Sequence, residues 1–186
     1  MVENGASSYR RFLSGDDEAF VEIIRLYKDG LMMYLNGYVN DIYIAEELVE
    51  ETFFRIVTKK PKFSGKSSFK TWLYAIGRNV ALDSLRQRRW VSDSPVDDGG
   101  QKRRDEHEIE REYFEQEQKI ILHNALRALP PEYRRVLYLK YFENFSNGEI
   151  SLILKKGEHQ VENLIHRAKK SLKSELDRAE FEYEEL

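Results

Sequence analysis

The sequence predicts an all-α protein built as two small helical modules on either side of a flexible linker. Three observations carry this. Only four prolines and ten glycines interrupt 186 residues, so long stretches can keep the helical spacing of apolar side chains. Composition changes abruptly at Val91, where SDSPVDDGGQKRRDE collects Ser, Pro, Gly and charge with no apolar period. Hydrophobic residues make up 41% of the chain, enough to give each half a core and to exclude wholesale disorder.

The first helix follows Ser14-Gly15-Asp16-Asp17, where Asp17 and Glu18 suit the positive end of a helix dipole. Its apolar residues Phe20, Ile23, Ile24 and Tyr27 follow the i, i+3, i+4, i+7 spacing. Beyond Asp29-Gly30 a second stretch continues through Leu31, Tyr34, Leu35 and Tyr38. Asp41 reads as the N-cap of the next helix, whose buried stripe is Ala45, Leu48, Val49, Thr52, Phe53 and Ile56. Pro61 and Gly65 break the chain. A helix from about Ser68 to Arg89 then buries Phe69, Trp72, Leu73, Ile76 and Val80. Helical patterning resumes near Ile109 and runs to Leu129, and Pro130-Pro131-Glu132 opens another helix, with proline tolerated in its first turn. Ser146 and Glu149 form a capping box for a short helix through Leu154. A last helix runs from about Glu158 to Arg178, before an acidic tail, EFEYEEL. The expected boundaries are therefore a module over 1–90, a linker over 91–107, a second module over 108–178 and a tail over 179–186.

Several function classes lose support at once. There is no cysteine, so neither a disulfide framework nor a thiolate metal site is available. His107, His123, His159 and His166 lack metal-binding spacing, and no glycine-rich phosphate loop or nucleophile elbow occurs. The carboxylates show no arrangement that would split their pKa values for acid–base work. The expectation is a protein that is not an enzyme, with no cofactor, metal or small-molecule substrate. MVENGASSYRRF lacks the apolar core of a signal peptide and no run reaches membrane-spanning length, so a cytoplasmic location is expected.

Charge is the informative property. Charged residues make up 34% of the chain while the net charge is only −3, so a nucleic-acid binder of this composition must segregate its charges. Three features do so. Glu46, Glu47, Glu50 and Glu51 form an acidic stripe opposite Leu48, Val49 and Phe53, which reads by itself as a solvated face. From Lys59 to Arg89 nine cations, among them Lys66, Lys70, Arg78 and Arg86, face the single acid Asp83, interleaved with Phe63, Phe69, Trp72 and Tyr74. Cations bind phosphate and aromatic faces stack on unpaired bases, so this segment suits single-stranded nucleic acid. Most of the Phe69 and Trp72 surface is equally well explained as core. Finally, the short capped helix, the turn Lys155-Lys156-Gly157-Glu158 and the longer helix after it form a helix-turn-helix, a motif of low specificity alone.

Taken together, these residues resemble the extracytoplasmic-function (ECF) sigma factors of bacterial RNA polymerase. A-E-E-L-V-E-E-T-F at 45–53, F-S-G-K-S-S-F-K-T-W-L at 63–73 and I-G-R-N-V-A-L-D-S-L-R at 76–86 are similar to the family's region two. L-P-P-E-Y-R-R-V at 129–136, F-S-N-G-E-I at 145–150 and H-R-A-K at 166–169 are similar to its region four. The resemblance implies a promoter-specificity factor. Glu46, Glu47, Glu50 and Glu51 would face the β′ clamp helices of core RNA polymerase, with the β subunit a further partner. Phe63, Ile76 and Asn79 would line a pocket for a base flipped from the non-template minus-ten strand. Lys66, Lys70, Arg78 and Arg86 would hold the DNA backbone, and an anti-sigma factor would hold the protein inactive.

The second module departs from the family where DNA would be read. Family members commonly carry L-G-x-S-x-x-T-V-K-x-R-L-H-R-A, but residues 154–168 read L-K-K-G-E-H-Q-V-E-N-L-I-H-R-A. Glu162 and Leu164 stand where cations are usual, and a carboxylate repels phosphate. Glu162 could instead accept from cytosine, and Gln160 or Asn163 could pair with adenine, while Lys155, Lys156, His166 and Arg167 hold phosphate or guanine. Either this helix reads an unusual minus-thirty-five element, or promoter choice rests on the minus-ten element or an additional DNA-bound recruiting protein. Rival readings are a polymerase-independent helix-turn-helix regulator and a sigma-like module that only sequesters an anti-sigma partner.

Overall fold

A computed structural model describes residues 5–92 and 117–179. The expected linker at 91–107 and the acidic tail lie almost wholly outside these residues, as does the start of the patterning near Ile109. Among the described residues there is no strand. The first module contains α1 (Gly5–Leu13), α2 (Asp17–Val39), α3 (Ile42–Lys59) and α4 (Phe69–Ser92); the second contains α5 (Glu117–Ala128), α6 (Pro131–Leu137), a π-helical turn (Tyr138–Phe142), α7 (Asn147–Leu154) and α8 (Glu158–Arg178).

The sequence signals account for most of these limits. Asp16 caps α2 by accepting from the Ala19 N–H at 3.3 Å, and Asp41 caps α3 by accepting from Tyr43 and Ile44 at 3.0 and 3.1 Å. The expected stripe on α3 is buried in full. The two stretches around Asp29-Gly30 form one continuous helix, α2. One glycine costs a helix interior only about 1 kcal/mol. Its bare Cα is needed here, since a Cβ on Gly30 would lie 2.5 Å from a Glu143 carboxylate oxygen and 2.6 Å from the Tyr74 hydroxyl.

Helix α1 was not anticipated. Tyr9 and Phe12 are 1% and 4% exposed, and Tyr9 packs on Phe69 and Trp72 with ring centroids 5.5 and 5.2 Å apart. Its exposed side is clipped to α2 by Arg11, which pairs with Asp16 at 2.7 Å and Glu22 at 3.0 Å. Nine residues rarely hold a helix alone, so α1 exists because α2 and α4 receive its aromatic face.

The second module is ordered around α8, whose Val161, Leu164, Ile165 and Ala168 enter the core at i, i+3, i+4, i+7. The capping box at Ser146 and Glu149 is present in both directions, and Lys155 closes α7 in the left-handed conformation at φ 53°.

The two modules pack against each other along α4 with α7 and α2 with α6. Glu143 is the centre of this contact. Its side chain is 12% exposed, pairs with the Lys70 ammonium at 2.7 Å, and accepts from the hydroxyls of Tyr74 at 2.7 Å and Tyr138 at 3.1 Å. Lys70 also donates to the Glu143 carbonyl and lies 4.8 Å from the centre of the Phe145 ring. Nearby, Glu149 accepts from Ser68 and Thr71. At the other end the Arg135 guanidinium stacks on Tyr38 at 4.1 Å and donates to the Gly37 carbonyl.

Candidate nucleic-acid interface

Lys60 ends α3 in a left-handed turn at φ 41°, and Gly65 supplies a second at φ 73°, so residues 60–68 form a tight loop in front of α4. The Ser68 hydroxyl accepts from the Thr71 N–H at 3.1 Å and fixes the start of that helix. Phe63 packs on Phe69 at 5.6 Å and Trp72 at 5.4 Å. Phe69 is a core residue, whereas Trp72, expected to be buried, is only half-buried against the core, as is Phe63. The Tyr9 hydroxyl donates to the Pro61 carbonyl at 2.7 Å, tying α1 to the loop.

The sequence-derived site residues divide into groups. Phe63 lines a cleft of about 470 Å³ between the loop and α1, and Ile76 and Asn79 are not on its walls. Asn79 and Lys66 are exposed, Ile76 is half-buried, and Arg86 is exposed beside Asp83 at 3.5 Å. Lys70 and Arg78 face the second module instead. Lys70 is held by Glu143, and Arg78 lines a cavity of about 180 Å³ with Tyr38, Glu132, Arg135 and Lys156. Two residues of this region were missed. Tyr9 and Arg10 belong to α1 and line the loop cleft; the Tyr9, Phe12, Leu13 spacing was the available signal.

On α3, Glu46, Glu47 and Glu50 are exposed and Glu51 is half-buried. Glu46 lies 3.6 Å from Lys28, Glu47 lies 3.8 Å from Arg88, and Glu51 binds Arg55 at 2.6 Å. Arg55 also reaches Asp83 on α4 at 3.2 Å, which locks the two helices together. Phe54 stands on the same side as Glu50 and Glu51 with 62% exposure, an apolar residue that the acidic pattern concealed.

On α8, His159, Gln160, Glu162, Asn163, His166 and Arg167 are exposed, and Lys155 and Lys156 sit in the turn before it. Gln160 has a structural task, since its side-chain oxygen accepts from the Gly157 N–H at 2.9 Å and closes the start of the helix. Glu162 lies 3.5 Å from His159, and Lys156 pairs with Glu132 at 2.9 Å. Leu164 is 2% exposed, so the comparison of this position with a phosphate-binding cation fails: here it is core.

Burial raises the pKa of Tyr74 and Tyr138 well above the usual phenol range, and the neighbouring Glu143 charge adds to it. Glu149 ends below its ordinary value. Burial pushes its carboxyl up, but hydrogen bonds from Ser146, Thr71 and Ser68 outweigh that effect. Among the described residues no group of His, Asp or Glu is placed to hold a metal, and no helix is long and apolar enough to cross a membrane.

An acidic helix face, a basic aromatic loop and a helix-turn-helix stand together on one all-α chain, a combination that suits a DNA-binding protein. Comparison with known proteins agrees. The model of sigma-70 region 2 matches residues 23–91 and that of sigma-70 region 4 matches residues 119–172. The chain is 29% identical over 171 residues to the ECF RNA polymerase sigma factor SigW of Bacillus subtilis, covering 87% of this chain and 91% of that protein. It is 28% identical over 176 residues to the ECF RNA polymerase sigma-E factor of Haemophilus influenzae, covering 89% and 92%. In fold it is similar to the sigma factor RpoE of Bartonella quintana, solved with the anti-sigma factor NepR, with a TM-score of 0.64, 22% identity and coverage of 85% and 96%. It is also similar to CnrH, solved with the cytosolic domain of CnrY, with a TM-score of 0.62, 21% identity and coverage of 94% and 95%. The chain belongs to the ECF sigma factors, and its function lies in promoter-specific transcription initiation.

Proposed function

We propose that the protein docks on the β′ clamp helices of core RNA polymerase through α3, opens the minus-ten element with residues 59–89, and contacts an upstream element with α8. One observation carries the reading: a single module presents an exposed acidic face on α3 and, separately, a cation-rich loop with a half-exposed phenylalanine. The acidic face suits a basic protein surface, with Phe54 as an apolar anchor at its C-terminal end. The loop suits an unpaired base, with Phe63 offering a ring face and Asn79 a base-edge amide. Lys66 and Arg86 are exposed for phosphate, while Lys70 and Arg78 require the modules to separate first.

Upstream contact rests on Asn163, His166 and Arg167, since Gln160 is engaged in closing its helix. Glu162 on the same exposed face favours a second reading, in which α8 contributes little sequence preference and a DNA-bound partner recruits the complex. The protein acts in the cytoplasm, and the partners of its structural relatives argue for an anti-sigma factor as the inhibitor. The test is in vitro transcription with core polymerase on a genomic fragment library, sequencing RNA 5′ ends. New start sites sharing a minus-ten element are expected; a shared upstream element supports α8 as a reader. Absence of new starts, with a control sigma active on the same core enzyme, would refute unaided promoter recognition by this chain and leave only the recruited reading.

A further inference from the structure

The contact between the modules gathers positive charge that the protein itself does not neutralise. The cavity of about 180 Å³ on this seam is lined by cations from three elements: Arg78 of α4, Arg135 of α6 and Lys156 of the turn between α7 and α8. Among the described residues that line it, Glu132 is the only acid, and Lys156 already takes it at 2.9 Å. Arg135 is partnered by the Gly37 carbonyl and the Tyr38 ring, neither of which carries a charge. Arg78, half-buried, has neither a hydrogen bond nor an ion pair among the described residues. Two guanidiniums therefore meet at one cavity with no carboxylate assigned to either. Beside them, Arg134 has its pKa lowered first by burial and then by the charges of Arg127 and Arg135, so the positive excess extends along α6.

Size and lining narrow the occupant. The cavity is smaller than the roughly 300–1,000 Å³ of drug-sized sites and several times the roughly 30 Å³ of a water molecule. Its aromatic residue, Tyr38, already carries Arg135 on its ring at 4.1 Å and packs on Tyr34, so a base has no platform there. Guanidinium forks match the paired oxygens of a phosphate group. We propose that this seam binds a phosphate-bearing anion, one or two phosphate groups in size, held by Arg78 and Arg135 with Lys156 at the rim. The anion ties α4 of the first module to α6 and the following turn of the second, and so stabilises their contact. Lys156 is 38% exposed, so the site reaches the surface and admits either a free anion or the phosphate end of a larger molecule. The site goes beyond promoter recognition, and on the proposed reading its occupation also withholds Arg78 from DNA.

The test is isothermal titration calorimetry of the full chain with inorganic pyrophosphate, against sodium chloride at equal ionic strength. Pyrophosphate is expected to bind at one site and to raise the midpoint of thermal unfolding, and chloride to do neither. Arg78→Gln and Lys156→Gln should each weaken binding about tenfold, the loss of one charge-assisted contact. Glu132→Gln should instead tighten it about threefold, because it removes the repelling carboxylate and releases Lys156. The opposite sign separates binding from damage to the fold, since a merely structural Glu132–Lys156 pair would move both variants in the same direction. Adenosine diphosphate distinguishes the sources: affinity equal to that of pyrophosphate assigns the site to the end of a larger molecule, much weaker affinity assigns it to the free anion, and either keeps the site. An equal response to pyrophosphate and chloride, or pyrophosphate binding that none of the three variants changes, overturns the inference. Polymerase and promoter are absent from these titrations, so the proposed function stands or falls separately.

Discussion

Replacing Glu143 by alanine should be among the most damaging single changes at the contact between modules. The carboxylate is 12% exposed and answers three groups at once: the Lys70 ammonium at 2.7 Å, the Tyr74 hydroxyl at 2.7 Å and the Tyr138 hydroxyl at 3.1 Å. Removing one partner of a buried ion pair costs about 3–5 kcal/mol, because the other charge stays behind. Lys70 is 32% exposed and keeps the Glu143 carbonyl and the Phe145 ring, which places its share near the bottom of that range. Each abandoned phenol adds about 1 kcal/mol, though the terms are not additive within one network. The expected cost of Glu143→Ala is therefore about 3–5 kcal/mol, with Glu143→Gln about half as much. Urea unfolding followed by far-ultraviolet circular dichroism measures it. A second variant, Lys70→Met, isolates the stranded charge: combined with Glu143→Ala it should cost less than the sum of the two. A loss under about 0.5 kcal/mol, or strict additivity in the pair, would refute this account of the interface.

Other outcomes follow from single contacts. Because burial, and then the Glu143 charge, raise the folded-state pKa of Tyr74 and Tyr138, the stability they contribute is complete below the ordinary phenol value of 10.0 and is lost as pH rises beyond it. Tyrosinate absorbance from these two should rise together with unfolding in an alkaline titration, and earlier ionisation in the folded state would contradict their burial. Gly5→Ala should destabilise by about 2 kcal/mol, since the new Cβ would lie 2.5 Å from the Phe69 ring and 2.8 Å from the Tyr27 ring. Limited proteolysis should then cut first within α1, and an unchanged digestion pattern would show that the helix can shift at no cost. Glu50→Lys should weaken binding to core polymerase by about tenfold with little effect on folding, because the side chain is exposed. A size-exclusion or anisotropy titration against core enzyme decides this, and equal affinity would remove the acidic face from the docking surface.

Elements whose causes are local were legible in the sequence. The caps at Asp41 and Ser146, the stripe on α3 and the turn before α8 all depend on residues within a few positions, so their spacing is a direct record of the structure. What escaped notice depends on distant partners. Helix α1 is too short to persist without α2 and α4, and its Tyr9, Phe12, Leu13 pattern carries little weight until those receptors are known. Leu164 was compared with a cation on the strength of a motif, although its spacing from Val161, Ile165 and Ala168 already assigns it to the buried stripe. Periodicity was the better guide there. The role of Glu143 could not be read at all, because Lys70 and Tyr74 lie 73 and 69 residues away in the chain and nothing in a single sequence marks such a pairing.

On the proposed reading, in which Lys70 holds the DNA backbone, its one ammonium has two claimants. While it is bound to Glu143 it cannot neutralise a phosphate, so strand binding at this position and contact between the modules compete for the same charge. Competition of this kind sets an exchange rate: if the separated form were 1% of free protein, the apparent affinity for DNA would be about a hundredfold below the intrinsic one. Any protein that holds the modules apart lifts that penalty without touching DNA, and any that clasps them together deepens it. Under the proposed function, a pair of residues that looks purely architectural makes DNA affinity a function of what else is bound.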